Sequence, residues 1–207
     1  MGFEGGPNGA STRRITREVR WFADGELAIS VLNWFTKGVS YEVEQRVDCY
    51  DLEAARRGLG NKVRNRSVLD LKHRLNRDRV AHLAPRVVGR VQDWVKVTRP
   101  LGPSEPIPAS WDIDIAKEIY TRRYHCGPGQ YAGAGCEVEL TAITSGRTQA
   151  WSLCFETFGD PGRRVDLLQQ GVDRFFANTP LPTGFDLELK NSCCYPTWIR
   201  ARSLQSI

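Results

Sequence analysis

Glu42-Val43-Glu44-Gln45-Arg46-Val47-Asp48-Cys49-Tyr50 is the stretch that decides how the chain is read. Successive side chains of a strand point to opposite faces. Glu42, Glu44, Arg46, Asp48 and Tyr50 therefore share a polar, mixed-charge face. Val43, Gln45, Val47 and Cys49 form a largely apolar one. In an isolated sheet the polar face is the wet one. Repeated on strand after strand, with acids and bases in register, the pattern predicts a barrel whose charged side points inward at a polyanion.

The same alternation extends on both sides. Strands are expected over Ile15–Phe22, Tyr41–Asp51, Leu59–Arg64, Ser67–Arg74 and Arg86–Arg99. Others are expected from Ile115 to Tyr124, over Cys136–Thr144 and Gln149–Gly159, and finally over Phe185–Lys190. Leu59–Arg64 and Ser67–Arg74 read as a hairpin turning at Asn65-Arg66. Apolar residues at helical spacing mark helices over Glu26–Thr36 and Val165–Ala177. Leu75–Pro85 reads as a basic loop or short helix, residues 100–110 as a proline-rich connection, and Cys126–Gly135 as a glycine-rich turn. The fold class is mainly β (α+β): an eight-stranded antiparallel tunnel barrel with a few peripheral helices. Residues 1–13 read as a disordered tail, 14–199 as a single β-tunnel domain and 200–207 as a C-terminal tail.

Composition bounds the function. The 207 residues are 41% hydrophobic and 26% charged, ordinary for one large globular domain. No apolar run approaches the roughly 18–20 residues of a membrane span, and Met1–Ser11 lacks the apolar centre of a signal peptide. A cytoplasmic protein is expected. Six cysteines form no CxxC pair, and with only three histidines a zinc site is disfavoured. The net charge of +5 is modest and interleaved with acid, which argues against nucleic acid. The six tryptophans are expected to pack helices onto the outside of the barrel.

Taken in order, the strands resemble the CYTH family, the triphosphate tunnel metalloenzymes. Thr16-Arg17-Glu18-Val19-Arg20 is similar to that family's opening ExExK strand, with Thr16 where the first Glu stands. Arg46-Val47-Asp48-Cys49-Tyr50-Asp51 resembles its second strand, Lys62-Val63-Arg64 its basic strand and Leu69-Asp70-Leu71-Lys72 the next. Cys136-Glu137-Val138-Glu139-Leu140 is similar to its acidic ExE strand, and Phe155-Glu156 to a late barrel glutamate. The resemblance runs from about residue 14 to 190. It implies an eight-stranded tunnel in which basic residues hold a triphosphate and glutamates hold one or two Mg²⁺ or Mn²⁺ ions.

The residues support that chemistry in their own right. Phosphoryl transfer is mostly positioning and charge neutralisation. Arg20, Arg46, Lys62, Arg64, Lys72, Arg74, Lys96 and Arg123 all fall on predicted strands and are the candidate substrate-binding cations. Glu18, Glu137, Glu139 and Glu156 are the candidate metal ligands, being hard oxygen donors; Glu139 and Glu18 are the candidate catalytic acids. The bland alternatives are solvated hairpin lysines, and glutamates that pair with the tunnel's own arginines. Glu42 and Glu44 are expected to neutralise Arg46 or Arg20. The leading expectation is a metal-dependent phosphohydrolase acting on a triphosphate-containing compound. Its alternative is a non-catalytic module for polyphosphate, a nucleotide or another polyanion. A third reading is an assembly protein using the outer face. The expected partner is a small polyanion such as a triphosphate, with no membrane.

Overall fold

The computed structural model describes residues 10–102, 104–108, 111, 113–126 and 133–203. The expected N-terminal tail, as far as residue 9, and residues 127–132 of the expected glycine-rich turn lie outside them. In chain order the strands are β1 (Thr12–Asp24), β2 (Glu42–Tyr50), β3 (Lys62–Arg64), β4 (Val68–Arg74) and β5 (Arg79–Ala84). They continue as β6 (Val87–Pro100), β7 (Ile113–His125), β8 (Gly135–Ser145) and β9 (Thr148–Phe158). The helices are α1 (Ile29–Thr36), α2 (Leu52–Arg56), α3 (Arg164–Asn178) and α4 (Tyr195–Ser203).

Eight strands close into an antiparallel barrel in the order β1-β9-β8-β7-β2-β3-β4-β6 and back to β1. Closure rests on the length of β1. Its first half, Thr12–Glu18, pairs with β6, and its second half, Glu18–Asp24, pairs with β9. β5 lies outside the ring and pairs with β6. The β3–β4 turn is a tight one at Asn65 and Arg66, with φ of 46° and 55°. These are the two central residues of a turn closed by the Ser67 N–H on the Arg64 carbonyl at 2.9 Å, and their positive φ angles suit the right-handed twist of the three-residue hairpin loop Asn65–Ser67. Asn65 also tethers the turn to β2, its side-chain oxygen accepting from the Val47 N–H at 2.9 Å.

One side of the barrel's outer face and one end of its interior are covered, by different means, while Val43, Val47 and Leu71 on the outer faces of β2 and β4 stay exposed. Outside, Val19, Trp21, Val138, Leu140, Leu153 and Phe155 pack against Leu168, Val172 and Phe175 of α3 and Phe35 of α1. Burying each such side chain contributes roughly 1.5–3 kcal/mol. The helix approaches closely because Gly171 sits over Cys136: a Cβ there would lie 2.3 Å from the Cys136 Cβ. Inside, one end of the barrel is apolar. Phe22, Tyr50, Ile115, Ile143 and Ala150 are joined there by Trp198 and Ile199 of α4 and Ala55 of α2. Trp198 stacks on Phe22 (centroids 5.1 Å apart, planes 10° apart), and Tyr195 stacks on Tyr50. The C-terminal helix thus plugs this end.

Several expectations change. Arg79–Ala84 in the supposed basic loop is a strand; Val80 is exposed, so the apolar pattern there is weak. Phe185–Lys190 is not a strand: it makes one isolated parallel bridge, Leu187 to Val87, before a short 3-10 turn over Leu189–Asn191. The segment starting at Tyr195 is a helix rather than a tail, and α2 was not foreseen. α2 is only one turn long, nucleated by Asp51, whose carboxylate accepts from the Ala54 N–H at 3.0 Å. Trp94 does not pack outside; it faces the interior opposite Thr16 and is 0% exposed.

Candidate anion-binding tunnel

The interior above the plug is a cavity of about 410 Å³, within the rough range of 300–1,000 Å³ for small-ligand sites. Each strand of the ring sends alternate residues into it. Of the expected cations, Arg20, Arg46, Lys62, Arg64, Lys72, Lys96 and Arg123 line it, and so do Glu18, Glu137, Glu139 and Glu156. Arg74 does not. It shares the inward face of β4 but lies beyond Trp94, where Asp78 and the Cys194 thiol hold it. The lining also includes Arg14, Lys117, Asp70 and Tyr195, which the sequence reading passed over. Lys117 was legible in principle: it alternates with Ile119, Thr121 and Arg123 on the face of β7 that Arg123 marks.

The floor of the cavity is made by the rings of Tyr50 and Tyr195. Lys117 Nζ lies 3.9 Å from the Tyr195 centroid and Arg20 Cζ 4.8 Å from it; Lys62 Nζ is 5.6 Å from that of Tyr50. The negative ring faces help hold these cations out of water. Arg46, Lys62 and Lys117 converge on one carboxylate. Asp48 is 0% exposed and takes Lys117 at 2.5 Å, Lys62 at 2.7 Å and Arg46 at 3.2 Å. Burial opposes its charge, but Lys62, Lys117 and Arg46 outweigh that and hold Asp48 well below the usual carboxylate range. Arg46 also takes Glu44 at 3.0 Å, while Lys62 and Lys117 share Asp48. Burial, with crowding by Arg46 and Lys96, pushes Lys62 down to about 8 despite Asp48. Burial, with Lys62 and Arg46 beside it, pushes Lys117 down as well. Arg20, the fourth floor cation, pairs with Glu139 at 3.1 Å. Counting Glu44 on Arg46, the floor therefore has four basic side chains and three acids.

Above the floor the charges segregate by wall. Glu18 stands directly opposite Glu156 across β1–β9, and Glu156 directly opposite Glu137 across β9–β8. Arg14 stands directly opposite Lys96 across β1–β6, and Lys96 opposite Lys72 across β6–β4. Like charges in direct cross-strand register repel, so each row needs partners from elsewhere. Lys72 leaves its own row and reaches the acids, 2.5 Å from Glu18 and 3.4 Å from Glu156. Asp70 serves the cationic wall, with Arg64 at 2.9 Å and Lys96 at 3.7 Å. At the mouth Arg123 joins Glu137 (2.6 Å) to Glu42 (2.8 Å); these three are partly or largely exposed. Glu44 pairs with Arg46, as expected of a neutralising acid.

The four candidate metal ligands are thus each held by a base. Among the described residues no three of His, Cys, Asp and Glu gather as ligands for one metal ion. No helix among the described residues is long and apolar enough to cross a membrane.

No protein-family model matches the chain, and no curated protein matches it in sequence. Among solved structures it is similar to the RNA triphosphatase Pct1 of S. pombe, in a complex with the Spt5 CTD. The identity is 15% and the TM-score 0.40, over 80% of this chain and 83% of that one.

Proposed function

We propose that the tunnel binds the polyphosphate end of a small triphosphate-bearing molecule, with its terminal phosphate at the floor. The observation that carries this reading is the cluster at Asp48: three buried basic side chains around one carboxylate, at the floor of a ligand-sized cavity open at its mouth. A buried charge excess calls for a counter-ion, and a multiply charged anion entering from the mouth supplies it. Arg20, Arg46, Lys62 and Lys117 then hold the terminal phosphate, and Lys96, Arg64 and Arg14 the phosphates nearer the mouth. Arg gives forked contacts to oxygen pairs, Lys a point charge.

Metal-dependent hydrolysis would draw on Glu18, Glu137, Glu139 and Glu156. Each of these is occupied by Lys72, Arg20 or Arg123, so the residues do not fit a divalent-metal site and we derive no step through one. Glu139 and Glu18, expected as catalytic acids, act in this reading as charge partners that position Arg20 and Lys72. Titration calorimetry with sodium tripolyphosphate tests the proposal. Saturable binding is expected, weakened at least about tenfold by Lys117→Met, the loss of roughly one charge-assisted contact. Absence of binding by the folded protein would end it. Phosphate release from tripolyphosphate or ATP, abolished by Glu139→Gln, would make the chain a phosphohydrolase instead.

A further inference from the structure

We infer that Lys72 is the built-in counter-cation of the Glu18–Glu156 pair, and that polyanions bind in this tunnel without a divalent metal ion. The inference rests on the polyphosphate-binding reading for its second half only. Two carboxylates in direct register on neighbouring strands, with a third at Glu137 beside them, form the arrangement that most needs a positive charge. A divalent ion is one way to supply it. Here the charge is supplied by an ammonium group from beyond the neighbouring strand β6. Lys72 belongs to β4, two strands away from β1, and its Nζ reaches both acids past the ring of Trp94, whose centroid lies 5.3 Å off. Trp94 is fully buried on the strand between, so it walls the lysine stem on one side and fixes where the ammonium ends.

The rest of the acid set is equally committed. Arg123 donates to Glu137 at 2.6 Å and Arg20 to Glu139 at 3.1 Å. At the position two residues before Glu18 on the same face stands Thr16, a neutral hydroxyl. A hard divalent cation needs several oxygen ligands at once; here it would have to displace three separate bases, Lys72, Arg20 and Arg123, to collect them. A lysine needs only the two acids it has.

The test is a Mn²⁺ titration of the full chain followed by electron paramagnetic resonance, which reads bound metal directly and requires no polyphosphate. Wild type is expected to leave the Mn²⁺ signal free. Lys72→Met is expected to gain one bound Mn²⁺, lost again when Glu18→Gln is added. A wild-type Mn²⁺ site that Glu18→Gln removes overturns the inference, as does a folded Lys72→Met protein that gains none. Should Lys72→Met not fold, the wild-type and Glu18→Gln titrations decide alone. A second arm compares tripolyphosphate affinity in EDTA with that in Mg²⁺ at matched free tripolyphosphate. Agreement within about twofold is expected, and tenfold tightening by Mg²⁺ overturns metal independence. Failure of tripolyphosphate to bind in either buffer sinks the polyphosphate reading and leaves the Mn²⁺ result on Lys72 intact.

Discussion

Asp48 accepts from Lys117 at 2.5 Å although the same carboxylate already answers to Lys62 and Arg46. Asp48 is thus the anion on which the floor of the tunnel depends. Asp48→Asn would leave three buried cations facing each other. Urea unfolding is expected to show a loss of about 3–5 kcal/mol, the usual cost of removing one partner from a buried ion pair. The same variant should be rescued by ligand: tripolyphosphate is expected to raise its Tm by more than it raises that of wild type, because the anion replaces the lost charge. Equal shifts in the two proteins would show that the anion does not sit at this cluster.

Lys62 sets a pH window. Its folded value is about 8, below its ordinary 10.5, so its charge is present below that value and lost as pH rises through it. A bound anion favours the protonated form. Affinity for tripolyphosphate is therefore expected to fall between pH 7 and pH 9, with proton uptake on binding near pH 8. Lys62→Arg keeps the charge throughout and should flatten this fall. Calorimetry in buffers of different ionisation enthalpy measures the uptake; none at pH 8 would remove Lys62 from the site. For folding the sign is opposite. Between about 8 and 10.5 the unfolded chain holds the Lys62 proton more tightly, so this group's contribution to stability rises with pH across that window.

The plug is a packing device. Trp198 stacks on Phe22 and is 6% exposed. Trp198→Ala is expected to cost about 3–5 kcal/mol in denaturant unfolding. It should also let a small fluorescence quencher reach buried rings from the α4 end. Unchanged stability would show that α4 rests on the barrel without closing it.

At Gly171, α3 lies against Cys136 of β8 with no room for a Cβ. Gly171→Ala is expected to destabilise by about 1–3 kcal/mol, since its methyl would overlap the Cys136 Cβ. Cys136→Gly in the same chain should recover part of that loss. A double-mutant cycle measures the coupling, and additive losses would mean that α3 shifts outward instead.

Much of this was legible in the alternation of Glu42–Tyr50, because a barrel with a wet, charged inside forces a two-residue period on every ring strand. Glu18, Glu139 and Glu156 were visible for that reason, as was the Asn65-Arg66 turn. Other features were hidden for physical causes. β5 is an edge strand outside the ring, with a wet face and little alternation to read. Phe185, Leu187 and Leu189 alternate like a strand, yet only Leu187 bridges to another segment, so periodicity alone misleads there. Tyr195-Pro196-Thr197-Trp198 looks like a breaker, but proline is tolerated in a helix's first turn, where its missing N–H has no partner to lose. Which acid answers which base was not readable at all. Lys72 reaches Glu18 over 54 residues through the closing β1–β6 pairing, and Lys117 reaches Asp48 over 69 through the β2–β7 pairing.

The stacked rings of Phe22 and Trp198 turn the barrel from a pipe into a cul-de-sac. Traffic runs one way in and the same way out. In the polyphosphate reading, a molecule must present a free phosphate terminus to reach the cluster at Asp48. A polymer capped at both ends, or the interior of a long chain, would then be excluded, however many charges it carries.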